Sequence, residues 1–391
     1  MGDEREATGE RRRSITLRKK LLLLCFGCLV GGLFAELLVR ALGVSYPQPY
    51  VPDGQLGSRL QAGFVGWFTR EGFAHVHVNS RGFRDVEHNL QKPDGVYRIA
   101  VLGDSYAEAV QVQLDETFWS VLENELSTEE RPVEVLNFGI AGFGTAQELE
   151  ALRHVALGYQ PDLVLLAFLS GNDIRNNSRE LEPVKVRPFY ELNDAALELD
   201  TSFRQHPDFV KAQQPFTQFK VDCINSSRLL QLVMQMKAQR GDAGDAKEVG
   251  LNAEIYREPE AKDWKDAWTL TERLLEETAK VTQANGAEFV VVTLTNAAQV
   301  HPDPQQREKF AKSVGVQDLY YPERRIRDLG QSANFEVVTL AETFAQAAEQ
   351  DGTWFHGFEN TKPGTGHWNA DGHRLAGLTI AKAIQSLVVA D

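Results

Sequence analysis

Cysteine is scarce in this chain. Three occur in 391 residues, and two of them, Cys25 and Cys28, fall inside one apolar run. Cys223 is left alone in the body, which therefore cannot close an internal disulfide. A domain of this size can be held by its core instead. No zinc-type Cys/His spacing and no internal repeat occurs. Positive charge is also short: 41 Lys and Arg face 55 Asp and Glu, a formal net charge of −14. The first 20 residues carry +3, which leaves −17 on the rest. An acidic body excludes broad binding to a nucleic-acid backbone. It indicates solubility and identifies no substrate. Histidine is limited to nine. His75 and His77 share a strand face, but no further ligand lies nearby, so they read as a solvated face and not a metal site.

Long hydrophobic runs are missing too, with one exception. Leu21 to Val39 is predominantly apolar and just long enough to cross a bilayer core. Arg11, Arg12, Arg13, Arg18, Lys19 and Lys20 precede it. The basic flank predicts a cytoplasmic tail over 1–20, an anchor over 21–43 and an extracytoplasmic, periplasmic body. A cleaved signal peptide is the competing reading, in which the body is secreted. No clean small-x-small cleavage site follows the run, which favours an uncleaved anchor. Residues 1–20 read as disordered, and Val44 to Gly57, with three prolines, as an extended linker. His75 to Asn79 alternates as a short strand or hairpin, closed by Ser80-Arg81-Gly82.

From Arg98 the pattern becomes regular. Apolar runs at Ile99–Leu102, Val133–Asn137, Asp162–Leu169, Glu288–Thr295 and Phe335–Leu340 predict five strands. Helical stretches fall at Phe118–Leu126, Thr145–Leu157, Trp264–Ala284, 304–330 and Ala370–Val388. Apolar strands alternating with helices predict an α/β domain over 98–391: a three-layer, mostly parallel five-stranded sheet covered on both sides. Residues 182–261 break the alternation and read as an insertion, with a hairpin at Phe189–Leu199 and a helix at Ser227–Met236. Arg240 to Glu260 is polar and reads as mobile.

Four strand-end loops carry residues suited to chemistry. The first strand stops at Gly103-Asp104-Ser105, where Ser105 is either a helix cap or an exposed hydroxyl at the carboxyl edge of the sheet. The second ends in a glycine-rich loop whose Gly142 N–H could face an anionic oxygen. The third ends in Ser170-Gly171-Asn172-Asp173, where Asn172 is either a turn residue or a donor to that oxygen. The last is Gly364-Thr-Gly-His-Trp-Asn-Ala-Asp-Gly-His373. A neutral His367 there can take a proton from serine and return it to a leaving group. Trp368 could offer a sugar-stacking face or fill the core, and His373 reads as packed or solvated.

In this order and placement, the four blocks resemble the SGNH (GDSL-type) hydrolases. The likeness covers Arg98 to the C-terminus, less the insertion. Residues 60–97, with Asn79-Ser-Arg-Gly-Phe-Arg-Asp85, resemble the lead-in of envelope-located members. The resemblance implies a flavodoxin-like fold, an acyl-enzyme on Ser105 with His367 as base, and an oxyanion hole made by the Ser105 and Gly142 N–H groups and the Asn172 side chain. It implies a serine esterase or deacetylase acting on acylated carbohydrate or lipid, with no cofactor and no metal. An O-acyltransferase that modifies an exopolysaccharide shares this chemistry, and a non-catalytic binding or assembly subunit is the alternative of another class. The family's Asp two or three residues before the histidine is replaced by Thr365 or Gly364. Glu359 folding back, Thr365 or a backbone carbonyl is then left to orient the imidazole.

Overall fold

The computed structural model describes residues 16–194, 196–241 and 250–389. Most of the tail, and the polar stretch at 242–249 within the insertion, lie outside the described residues. Helix α1, Leu17–Ala41, is apolar and long enough to cross a membrane. The central sheet contains β1 (Tyr97–Gly103), β2 (Val133–Asn137), β3 (Leu163–Phe168), β4 (Glu288–Thr293) and β5 (Glu336–Thr339). They lie in the order β5-β4-β3-β1-β2, and every pairing is parallel. Sequence neighbours β2 and β3 thus sit on opposite sides of β1.

The sheet is closed off from water on both faces. Ile99, Val101, Leu163 and Leu165 point into a core with Phe118, Phe344 and Ile380. These come from helices α2 (Phe118–Leu126), α8 (Ala341–Asp351) and α9 (Ala370–Val389). Ala100, Leu102, Val164 and Leu166 face the opposite core with Leu149, Leu274 and Ile326. Those belong to α3 (Thr145–His154), α6 (Lys262–Ala284) and α7 (Tyr321–Ala333). Alternate residues of one strand feed two separate cores, which is why the central strands read as continuous apolar runs. The expected three-layer α/β architecture is therefore present. The insertion contains the hairpin Phe189–Asn193 with Ala196–Asp200 and the helices α4 (Pro215–Ser226) and α5 (Arg228–Gly241).

The segment before the sheet departs from expectation. Residues 44–57 do not remain an extended linker, because Tyr50–Asp53 pairs antiparallel with Gly57–Leu60. A second hairpin joins Val65–Phe68 to Ala74–His77, leaving His75 and His77 exposed on one face. Arg84 and Asp85 explain how the lead-in attaches. The buried Arg84 guanidinium donates to the carbonyls of Glu108, Ala109 and Val112. Asp85 accepts from the Asn137 N–H at 2.8 Å, and the Asn137 side chain donates back to the Arg84 carbonyl at 3.0 Å. A buried cation is costly unless its protons are taken up, and three carbonyls accept from its two terminal nitrogens here. The lead-in is thereby locked to the loop that follows β1.

Candidate active site

The site forms at the carboxyl edge of the sheet. After β1, Asp104 caps the short helix Ser105–Glu108 by accepting from the Tyr106 N–H at 2.9 Å. The cap is Asp104, so the Ser105 hydroxyl is left for another partner. That partner is His367, whose Nε2 lies 2.8 Å from Ser105 Oγ. The loop before α9 delivers His367 across 262 residues of sequence.

The other imidazole nitrogen faces a carboxylate that the sequence did not reveal. His367 Nδ1 lies 2.6 Å from Glu71 Oε2, and Glu71 Oε1 accepts the His367 backbone N–H at 2.7 Å. Neither Glu359 nor Thr365 orients the ring. Glu359 is exposed, and the Thr365 hydroxyl donates to the Lys362 carbonyl at 2.7 Å. Asn360, next to Glu359, instead clamps the turn that carries Glu71. It accepts from the Gly72 N–H at 2.9 Å and donates to the carbonyls of Thr69 and Gly72, each at 3.1 Å. Gly366 makes room for the contact. It sits at φ +73°, and a Cβ there would lie 2.1 Å from Glu71 Oε1.

Electrostatics follow from this contact. Burial works against the charged form of His367, but the hydrogen bond and the negative charge of Glu71 outweigh it and raise the imidazole pKa. Burial likewise works against ionised Glu71, and the hydrogen bonds from His367 outweigh it, holding the carboxyl below its usual range. Each partner favours the charged form of the other, as expected for an imidazolium that forms transiently beside a fixed carboxylate.

A second buried histidine braces the loop. His356 has its pKa pushed down to about 4 by burial, so it is neutral near pH 7. Its Nδ1 lies 2.8 Å from the Gly366 carbonyl, which only accepts, so the proton sits on Nδ1. Nε2 then accepts from Thr295 Oγ1 at 2.9 Å, and Thr295 accepts from Trp368 Nε1 at 2.7 Å. Trp368 is fully buried and offers no sugar-stacking face. His373 is also buried, with its Nδ1 3.3 Å from the Phe118 N–H. His356 had no motif around it, and its role depends on the tertiary contact with Gly366.

Gly142 and Asn172 line the same cavity as Ser105 and His367, a cleft of about 990 Å³. Gly142 adopts φ +78°, a left-handed conformation that glycine takes without strain. Its loop is held from two sides. Ala141 N–H donates to Glu108 Oε2 at 2.5 Å, and Arg187 Nη1 donates to the Gly142 carbonyl at 2.8 Å. Asn172 Nδ2 donates to the buried Asp104 at 2.8 Å. An amide NH₂ has two protons, so the second can serve a ligand in the cleft. Tyr46, Pro47, Phe68, Val110 and Val221 give the cleft an apolar wall. Among the described residues no three His, Cys, Asp or Glu gather as a metal site.

No family model and no curated protein matches the chain. Several solved structures do at low identity. An acetyl xylan esterase is 13% identical, covering 73% of this chain and 99% of its own, with a TM-score of 0.39. An acetylxylan esterase from Geobacillus stearothermophilus is 12% identical, covering 74% and 94%, with a TM-score of 0.36. A GDSL-like lipase from Bacteroides thetaiotaomicron is 12% identical, covering 74% and 88%, with a TM-score of 0.33.

Proposed function

We propose that this chain is a membrane-anchored serine hydrolase that cleaves acyl esters of envelope glycans or lipids on the extracytoplasmic side. The observation that carries this reading is the continuous chain Ser105 Oγ, His367 Nε2, His367 Nδ1, Glu71, with links of 2.8 and 2.6 Å. Ser105 attacks the ester carbonyl while its proton passes to His367 Nε2. The new oxyanion is met by the N–H groups of Ser105 and Gly142 and by Asn172 Nδ2. The imidazolium then protonates the leaving alcohol, giving an acyl-enzyme on Ser105. Water attacks that ester with His367 again as base; the imidazolium returns the proton to Ser105 Oγ as its bond to the acyl carbon breaks, and the carboxylic acid is released. Glu71 holds the tautomer with the proton on Nδ1 and stabilises the imidazolium. It is a positioning residue, since it touches His367 and not the ester.

Glu71 behind His367 gives the Ser105–His367 pair an orienting carboxylate, a feature that favours catalysis over a non-catalytic binding or assembly role. Transfer to a sugar hydroxyl would use the same acyl-enzyme with a different acceptor. The test is release of p-nitrophenol from its acetyl ester by the full chain in detergent micelles, repeated with Asn172→Ala. The wild type is expected to turn over, and the variant to lose on the order of 10²–10³ in kcat, with KM little changed. Absence of wild-type turnover on acetyl and longer acyl esters alike would overturn the reading. Loss through KM alone would remove Asn172 from the oxyanion hole. Acetyl appearing on an added oligosaccharide in preference to water would make the enzyme a transferase.

A further inference from the structure

The last turns of α1 are built into the body. Glu36 accepts from the Arg228 and Leu229 N–H groups, each at 2.9 Å, and from Ser227 Oγ at 2.8 Å. A carboxylate from the anchor thus caps the N-terminus of α5. Arg40 donates to the Ser226 carbonyl at 2.8 Å, and Gln231, one turn along α5, accepts from the Tyr46 N–H at 2.8 Å. The apolar run Leu21–Val39 rises about 27 Å along the helix axis, close to the roughly 30 Å of a bilayer core. The last turn of the run, from Glu36 to Arg40, therefore falls at the boundary between acyl chains and headgroups, and the start of α5 meets α1 there.

Apolar side chains adjoin this exit point. Leu42 is 69% exposed, Phe73 57% and Leu230 43%. The Phe73 ring lies beside Gly43, where a Cβ would be 3.9 Å from it. Trp67 packs on Phe73 with ring centroids 4.8 Å apart, and its backbone carbonyl accepts from Ser45 Oγ. Aromatic rings beside the end of a span suit the boundary between headgroups and acyl chains. Left in water, they would forgo the stabilisation of burying apolar area.

We infer that the face formed by Leu42, Trp67, Phe73 and Leu230 seats on the outer surface of the bilayer that α1 crosses. The occupant is lipid because the patch is continuous with the lipid-facing surface of α1. The seat fixes how the domain stands on the membrane. Tyr46, Pro47 and Gln48 line the cleft. Tyr46 lies five residues past Ala41, so the cleft wall starts within about 17 Å of chain from the end of the span.

This inference rests on α1 spanning the bilayer, and the test separates the two. Nitroxide labels are placed by Phe73→Cys and Leu230→Cys in the full chain carrying Cys25→Ala, Cys28→Ala and Cys223→Ser, reconstituted in nanodiscs. Leu29→Cys marks the middle of the span. Leu90→Cys marks the opposite edge of the sheet, where the Leu90 carbonyl accepts from Arg98 at the start of β1. Collision with a water-soluble nickel chelate at positions 73 and 230 is expected to fall on the order of tenfold below that at position 90, with oxygen collision raised. Nickel access equal to position 90, with position 29 shielded, would overturn the seat while the span stands. Broadening that disappears on dilution with unlabelled protein would assign the face to a second copy. Nickel access at position 29 would remove the span and the seat together.

Discussion

Glu71→Gln is expected to lower kcat for p-nitrophenyl acetate by about 10⁴, the scale of losing the orienting carboxylate in a Ser-His-Asp enzyme. Gln keeps the size of the side chain and can still accept the His367 backbone N–H. It removes the charge, and its amide can donate to Nδ1, which stabilises the tautomer with the proton on Nε2. That tautomer cannot accept the Ser105 proton. The pH profile distinguishes this from simple loosening of the loop. His367 must be neutral to act as base, and Glu71 raises its pKa. Wild-type kcat/KM should therefore fall as pH drops through a value above the ordinary imidazole value of about 6.5. Without the carboxylate charge, the imidazole loses protons more readily, so this acid limb moves to lower pH in Glu71→Gln. Glu71→Asp keeps the charge and should recover part of both effects. A large loss with an unmoved acid limb would assign Glu71 a purely structural role.

Ser105→Ala is expected to cost about 10⁶ in kcat, the scale seen when a triad nucleophile is deleted. The fold should be unaffected, because Asp104 caps the following helix and Ser105 contributes one hydrogen bond, worth about 1 kcal/mol net. Adding Glu71→Gln to Ser105→Ala should cost nothing further. Residues acting as a unit lose their separate effects once the nucleophile is gone. A double variant slower again by about 10⁴ would mean that Glu71 contributes by a route independent of Ser105. Steady-state hydrolysis by the two single variants and the double variant measures all three.

The central strands could be read from the sequence because both of their faces are buried. Ile99–Leu102 and Leu163–Phe168 face no water, so no polar residue interrupts them. Ser105 and His367 were legible for a related reason: each sits in a short local pattern that needs a turn at a strand or helix end. Glu71 was not legible. It lies 296 residues from His367, on a turn between short, half-exposed strands, and in sequence it is one acidic residue beside a glycine. Its one trace was Gly366, a glycine next to the histidine whose missing side chain admits the carboxylate. The hairpin at 50–60 was hidden as well, since its strands are four residues long and prolines suggested a spacer. The carboxylate that faces His367 comes from the segment between α1 and the sheet, not from the residues beside the histidine.

The account turns on Ser105 becoming acylated with His367 as its base. The most direct measurement is the mass of the Ser105 peptide after a rapid acid quench during turnover of p-nitrophenyl acetate. The account predicts an acetyl group on Ser105 in the wild type and none when His367→Ala is treated in the same way. Turnover with an unmodified Ser105, or acetyl accumulating on another residue, would contradict it.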